Sequence, residues 1–240
     1  MLNGIFSTFS GKFVNQRRLE IVSNNIANVS TPGFKASRPV FTALSGADAA
    51  QNQKLENTYA SMYDSYLNFA TGPLLETGRN LDFAIEGEGF FVVSTKDGDM
   101  YTRNGKFILD QDKKLVTADG NPVLGKGGEI TINGTEIDVA TDGSIYVDKA
   151  FVDVLKVFDF KEKKDIRNSG RNLFVNINSK AVEETPESYS IQQGSHEGSN
   201  VDIMREMIEL MATVRAYEAY TKTDQNLDEM LGKLIDAGKP

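Results

Sequence analysis

The run GNPVLGKGG, Gly120 to Gly128, places Gly120, Gly125 and Lys126 at the spacing of a phosphate-binding loop. Such a loop cradles phosphate oxygens on backbone N–H groups at the start of a helix. Here Gly127 stands where a magnesium-binding Ser or Thr is required, Pro122 removes a donor, and the strand-like EITI follows in place of a helix. The run reads as a turn between strands. GEGFF, Gly87 to Phe91, has the first two glycines of a dinucleotide fingerprint but lacks the third and the following helix. It reads as tight packing at a strand end.

His196 is the only histidine, lies in a polar stretch and has no cysteine to join it, so it does not make a metal site. DQDK, Asp110 to Lys113, opens like a calcium loop but lacks its Gly at the sixth position and its closing Glu. Asn28-Val29-Ser30 and Asn133-Gly134-Thr135 are glycosylation sequons in form only. Tyr217 and Tyr220 fall at helical spacing, where aromatic side chains serve as core or assembly contacts. No constellation supports catalysis, and no cofactor or metal is expected.

Composition narrows the partners. The 240 residues carry 26 Lys+Arg against 34 Asp+Glu, a formal charge of −8, with no dense basic cluster. That balance disfavours nucleic acid and anionic membrane as partners and favours proteins. The absence of cysteine excludes disulfides and thiolate chemistry. The N-terminus has no basic region ahead of an apolar core, so no cleaved secretory signal is expected. Nothing approaches 18 consecutive apolar residues, so no membrane insertion is expected.

Two amphipathic segments bracket the chain. Near the N-terminus Phe6, Phe9 and Phe13 fall at steps of three and four, and Val22, Ile26 and Val29 resume that spacing after a break in register at Gln16 to Arg18. Gly4 and Gly11 each cost this helix about 1 kcal/mol relative to Ala, so it is marginal alone. Pro32 and Gly33 stop it near Asn28 and form an elbow. Near the C-terminus Ile203, Met207, Leu210, Val214 and Tyr217, then Leu227, Leu231 and Leu234, span roughly five heptads, with Ser199 and Asn200 as N-cap candidates. A coiled coil or helical assembly fits this pattern; an ordinary core helix is the alternative.

The middle switches period. Residues 36–75 lack strong periodicity and read as an extended arm. From Leu81 the period is two, punctuated by Asp97-Gly98, Asn104-Gly105, Asp119-Gly120, Asn133-Gly134 and Asp142-Gly143. EITINGTEIDV and VATDGSIYV read as hairpins, the first setting Ile130 and Ile132 against Ile137 and Val139. The fold class is therefore mixed: an all-β central domain of antiparallel strands, residues 76–185, inserted between terminal helices. The helices, 1–30 with 199–240, would form a discontinuous assembly domain, joined by arms at 31–75 and 186–198.

The terminal segments resemble a known family. SNNIANVSTPGFKAS, Ser23 to Ser37, is similar to the N-terminal signature of bacterial flagellar rod and hook proteins, and GSNVDIMREMIELMATVRAYEAYTK, Gly198 to Lys222, resembles their C-terminal signature. NLDFAIEG, GEGFFVV and YTRNGKFILDQDKKLVTADGNPVLG look like β-domain segments of the rod members. The chain departs from the pattern at Val214, where Gln is usual, at Tyr220, where Asn is common, and in DQDKK, which lacks a Gly. The compact middle argues against the hook and hook-filament junction proteins, and the lack of room for an extra insert between the N-terminal helix and the β domain favours the proximal F-type rod protein over the distal G-type.

The resemblance implies a self-assembling structural subunit of the basal-body rod, the hollow drive shaft that serves motility and spans the periplasm. It implies export through the flagellar type III apparatus, with other rod and hook subunits, the rod cap and the ring proteins as partners. On the residues alone, a non-flagellar coiled-coil secretion scaffold and a glycan-cleaving enzyme on the β domain stay open. The expected assembly interface comprises the apolar residues above together with Asn24, Asn25 and Asn28, whose amides would serve a crowded subunit contact. Both termini are expected to order only on assembly, because lone amphipathic helices cannot repay the entropy of ordering.

Overall fold

The computed structural model describes residues 2–45, 58–177, 183, 184, 186 and 188–237. The chain divides into two compact units, one of Met1–Ala27, Ser37–Tyr66 and Asp202–Pro240, the other of Asn28–Ala36 and Leu67–Val201. Most of the described elements are strands, flanked by one helix near each end.

In the first unit a helix α1, Leu2–Ala27, packs antiparallel to a helix α2, Ile203–Ala237. Register is marked by Lys12 beside Asp224 (3.8 Å), by the Arg18–Glu209 pair and by Asn25 against Glu206 (3.2 Å). The helix runs unbroken through Gln16 to Arg18, where the apolar stripe lost its register, and Arg18 is paired with Glu209 there. α2 starts later than expected. Asp202, not Ser199 or Asn200, caps it by accepting from the N–H groups of Met204 (3.0 Å) and Arg205 (3.2 Å).

Where an extended arm was expected, Ser37–Ser45 and Thr58–Leu67 pair as a two-stranded ribbon. Residues 46–57 of that arm lie outside the described residues.

The second unit is built on a six-stranded sheet ordered Ile166–Gly170, Leu173–Asn176, Gly98–Thr102, Phe90–Thr95, Val157–Phe160, Glu183–Glu184. Its central strand FFVV is apolar at every position because both faces are covered. Phe91 and Val93 enter a large core with Phe83, Phe107, Leu115, Ile145 and Leu155, while Phe90 and Val92 enter a smaller one with Tyr101, Phe160 and Phe174. Rings in the smaller core meet edge to face, as with Tyr101 and Phe160 at 4.6 Å.

One expected hairpin forms and one does not. Ile137–Val139 and Ser144–Val147 pair across Asp142-Gly143, with Gly143 at φ +86° as its turn requires. At Asn133-Gly134 no hairpin forms. Leu115 donates to Ile130 O and Ile132 donates to Lys113 O, so 130–132 is bonded to 113–115. Ile130 and Ile132 still reach the core they share with Ile137, through a different partner strand.

Candidate assembly surface and elbow

Each helix of the first unit has two unlike faces. Among the described side chains of α1 the buried positions are Gly11, Val14, Val22 and Asn25, two pairs three apart and separated by eight, which keeps them on one face of the helix. At Gly11 the helices pack tightly: a Cβ there would sit 2.4 Å from the Tyr220 ring. The glycine read as a helix weakener is thus also the slot for an aromatic ring. Gly11→Ala should therefore destabilise the pair by about 1–3 kcal/mol despite its better helix propensity. Denaturant unfolding followed by helical circular dichroism checks this, and Tyr220→Ala should relieve the clash in a double-mutant cycle.

Phe9 and Phe13 turn outward, 66% and 46% exposed, with the Arg17 guanidinium 5.6 Å from the Phe13 ring. The Phe6 side chain lies outside those described. On α2, Glu206 and Thr213 are buried, and Leu210, Val214, Tyr217, Leu227 and Leu231 are half-buried along the same side. Met204, Ile208 and Met211 lie exposed on another face; Ile203 and Met207, two turns before Leu210 and Val214, are exposed near the start of α2, and Leu234 is exposed further along. The sequence stripe picked Ile203 and Met207 but passed over Met204, Ile208 and Met211, because the apolar surface of α2 is wider than one seam.

The asparagines separate in role. Asn25 is fully buried and bonds within its own chain: its Nδ2 donates to Ser37 O (3.0 Å) and Glu206 Oε2 (3.2 Å), and its Oδ1 accepts from Ser37 N (3.0 Å). Glu206, also fully buried, accepts from Arg38 Nη1 at 2.5 Å. Asn25 therefore shapes the helix pair from within its own chain. Ile26 is half-buried and Asn24 exposed.

In the second unit Asn28 Oδ1 accepts from Thr31 Oγ1 at 3.1 Å, tightening the turn that follows. Gly33 takes φ +69° and leaves no room for a side chain, since a Cβ would lie 2.3 Å from Asn104 N. Pro32 O accepts from Asn172 Nδ2 (3.0 Å) and Gly33 N donates to Glu197 O (2.8 Å). The elbow is thus pinned on both sides.

Beside it lies a buried charge cluster that residue types alone did not reveal. Glu197 is fully buried and accepts from Lys35 Nζ (2.7 Å), Gly72 N (2.7 Å) and Arg103 Nη1 (3.2 Å). Lys35 also donates to Ala70 O (2.9 Å), and Arg103 to Ile85 O (3.1 Å) and Gly87 O (2.8 Å). Burial lowers the affinity of Lys35 for its proton, and Glu197 opposes that. Asn200 completes the join, accepting from Ala36 N and donating to Asn68 O and Ala70 O. Three chain segments around 35, 70 and 197–200 are held by Glu197 and Asn200.

The glycine-rich runs hold structure. Leu124–Gly125 and Gly128–Glu129 pair as a hairpin, and the Asp153 carboxylate accepts from Gly127 N. In GEGFF a Cβ on Gly89 would lie 2.7 Å from Val157. A cleft of about 620 Å³ is lined by Glu88, Asp159, Lys163, Glu184 and Ser188 among others. Lys163 sits 3.1 Å from Glu88 and 3.4 Å from Asp159, so one cation holds both acids. Lys163 lowers the Glu88 pKa, while burial raises that of Asp159. Among the described residues no cluster of three or more His, Cys, Asp or Glu is placed to hold a metal, and no helix is long and apolar enough to cross a membrane.

Three family models match in chain order: the flagella basal body rod protein at residues 14–35, the flagellar hook protein FlgE/F/G D1 domain at 84–147, and the flagellar basal body rod FlgEFG protein C-terminal at 192–237. The flagellar basal-body rod protein FlgG of Buchnera aphidicola is 34% identical over 260 residues, covering 98% of this chain and 99% of its own. The chain belongs to the flagellar basal-body rod proteins. FlgF of Rhizobium meliloti is 31% identical over 240 residues, covering 98% of each chain, and FlgG of Bacillus subtilis is 30% identical over 261, covering 98% and 99%. This rod protein is accordingly a structural subunit of the flagellar basal body, made to assemble with other rod and hook subunits. The N-terminal match covers α1 from Val14 through the elbow to Lys35, and the C-terminal match covers His196, Glu197, Asn200 and the whole of α2.

Proposed function

We propose that this rod protein polymerises through α1 and α2 into the helical, hollow shaft of the basal body, the helices forming a coiled-coil inner layer and the β-rich part facing outward. The observation that carries this reading is the exposed stripe Ile203, Met204, Met207, Ile208 and Met211 on α2, accompanied by Phe9 and Phe13 on α1. Apolar side chains of this size contribute roughly 1.5–3 kcal/mol each when removed from water, an incentive that a neighbouring subunit supplies. One patch meeting a different patch on the next copy, related by a rotation that does not close, gives an open filament.

The shaft would cross the periplasm, its subunits delivered by the flagellar type III apparatus without a cleaved signal and meeting the rod cap and ring proteins. A neighbouring subunit that covers the exposed apolar faces adds to the stability of the helix pair in this reading, so residues 1–30 should exchange amide hydrogens faster in the free subunit than in the assembled rod. We assign the chain to the F-type, since its alignment with FlgF of Rhizobium meliloti runs over 240 positions whereas those with the two FlgG proteins run over 260 and 261. The Glu88–Asp159 cleft does not favour a glycan-cleaving reading, because Lys163 pairs with both carboxylates. Deleting the gene should abolish swimming and leave basal bodies without a complete rod in electron micrographs; complete rods in that strain would refute the assignment.

A further inference from the structure

His196, the only histidine in the chain, lies on the strand Ser195–Glu197, which pairs antiparallel with Leu74–Glu76. It is the neighbour of Glu197, the carboxylate that gathers Lys35, Gly72 and Arg103. Its side chain is 11% exposed, and Nδ1 sits 3.9 Å from Oδ2 of Asp82, a residue with no exposed surface. That separation is too long for a hydrogen bond. Neither His196 Nδ1 nor Asp82 Oδ1 has a hydrogen-bond partner, and both atoms are buried. Buried polar atoms are normally satisfied, so two orphans on residues that face each other mark a place where a proton changes the bonding.

We propose that His196 and Asp82 form a proton-operated latch behind the strand that carries Glu197. With a neutral imidazole, Asp82 is held by the Thr77 hydroxyl (2.8 Å) and approached by Arg79 (3.7 Å). A proton on Nδ1 introduces a third cation beside Arg79 and Lys106, both of which oppose it, with Asp82 as the attracting charge. On the partner strand Glu76 is exposed, and on His196's own strand Glu197 is committed to Lys35 and Arg103, so neither serves the new charge. The imidazolium must therefore close onto Asp82 or swing toward solvent, and either movement displaces the strand that positions Glu197.

The direction follows from burial, which lowers the pKa of His196 more than Asp82 raises it. The folded chain then takes up its proton at a lower pH than the unfolded chain. The support given by neutral His196 is complete above the ordinary value near 6.5, about that of free histidine, and is lost as pH falls toward the folded value. Acid thus loosens the grip of Glu197 on the segments around Lys35 and Gly72.

The test uses the full chain in two measurements. The single His Cε1–H resonance reports the titration directly: a midpoint below about 6.5 is expected, moving lower still in Asp82→Asn, and a midpoint at or above that value would overturn the latch. Amide exchange of Gly72, whose N–H is bound by Glu197, should lose about tenfold protection between roughly pH 7.5 and 5 after correction for intrinsic chemistry. The loss should be under about twofold in His196→Gln. Equal losses in both chains would show that other carboxylates loosen this region, and the proposal would fail. The resonance titration needs no variant, so the outcome does not depend on His196→Gln folding.

Discussion

Replacing Glu197 with alanine is expected to destabilise the β-rich unit by about 3–5 kcal/mol, read as a lower denaturant midpoint with an unchanged slope. The size comes from what the substitution leaves behind. Lys35 and Arg103 are both almost fully buried, and Glu197 is the carboxylate that each touches. Removing one partner strands two charges where water cannot reach them, and Gly72 N–H loses its acceptor as well. Arg103 keeps Ile85 O, Gly87 O and the face of Phe90 at 5.4 Å, so Lys35, left with Ala70 O, bears more of the loss.

Lys35 has an escape, since burial already lowers its pKa and losing Glu197 lowers it further. A group whose folded pKa lies below its unfolded value gains stability as pH rises between the two. The deficit of Glu197→Ala should therefore narrow as pH climbs toward about 10.4, the unfolded lysine value. Lys35→Met added to Glu197→Ala should recover part of the loss at neutral pH, because it removes a stranded cation and keeps the volume. A deficit below about 1 kcal/mol, or no recovery in the double variant, would show that this cluster is not a structural lock.

What could be read in the sequence, and what could not, follows from the range of each interaction. The helices were legible because apolar residues at steps of three and four are a local pattern, and the stop at Pro32-Gly33 is local chemistry. The Asp142-Gly143 hairpin was legible for the same reason. Asn133-Gly134 carries the same signal, but 130–132 finds 113–115 instead, and a long-range pairing overrode a short-range preference. Asn200 looked like a helix cap, yet its amide is spent on Ala36, Asn68 and Ala70, so Asp202 takes that role.

The Lys35–Glu197–Arg103 cluster left no trace in pattern at all. Charged residues are read as solvated surface by default, and these are distant in sequence. Likewise Asn24, Asn25 and Asn28 could be recognised as a group, whereas only the fold distinguishes exposed Asn24 from Asn25, closed on Ser37 and Glu206. Local period gave the helices, and tertiary placement decided which of their faces are free.

That last distinction sets the second large effect. Ile208→Asp should abolish swimming while the purified subunit keeps its fold, because Ile208 is 62% exposed and its side chain leaves the helix pair untouched. Placed in a subunit contact, the carboxylate would be buried without a partner, a cost of several kcal/mol per interface. Repeated along a filament, that cost falls on every copy. Leu210→Asp makes the contrast: Leu210 is half-buried on the side shared with Glu206 and Thr213, so it should weaken α1–α2 packing as well as assembly. Ile203→Asp, at the exposed start of α2, should behave like Ile208→Asp. The measurements are soft-agar swimming, rod completion in isolated basal bodies, and the helical circular dichroism of each purified variant. Full motility of Ile208→Asp and Ile203→Asp would remove the α2 stripe from the assembly surface. Loss of helicity in Ile208→Asp comparable to that in Leu210→Asp would mean that the stripe acts within the subunit and not between subunits.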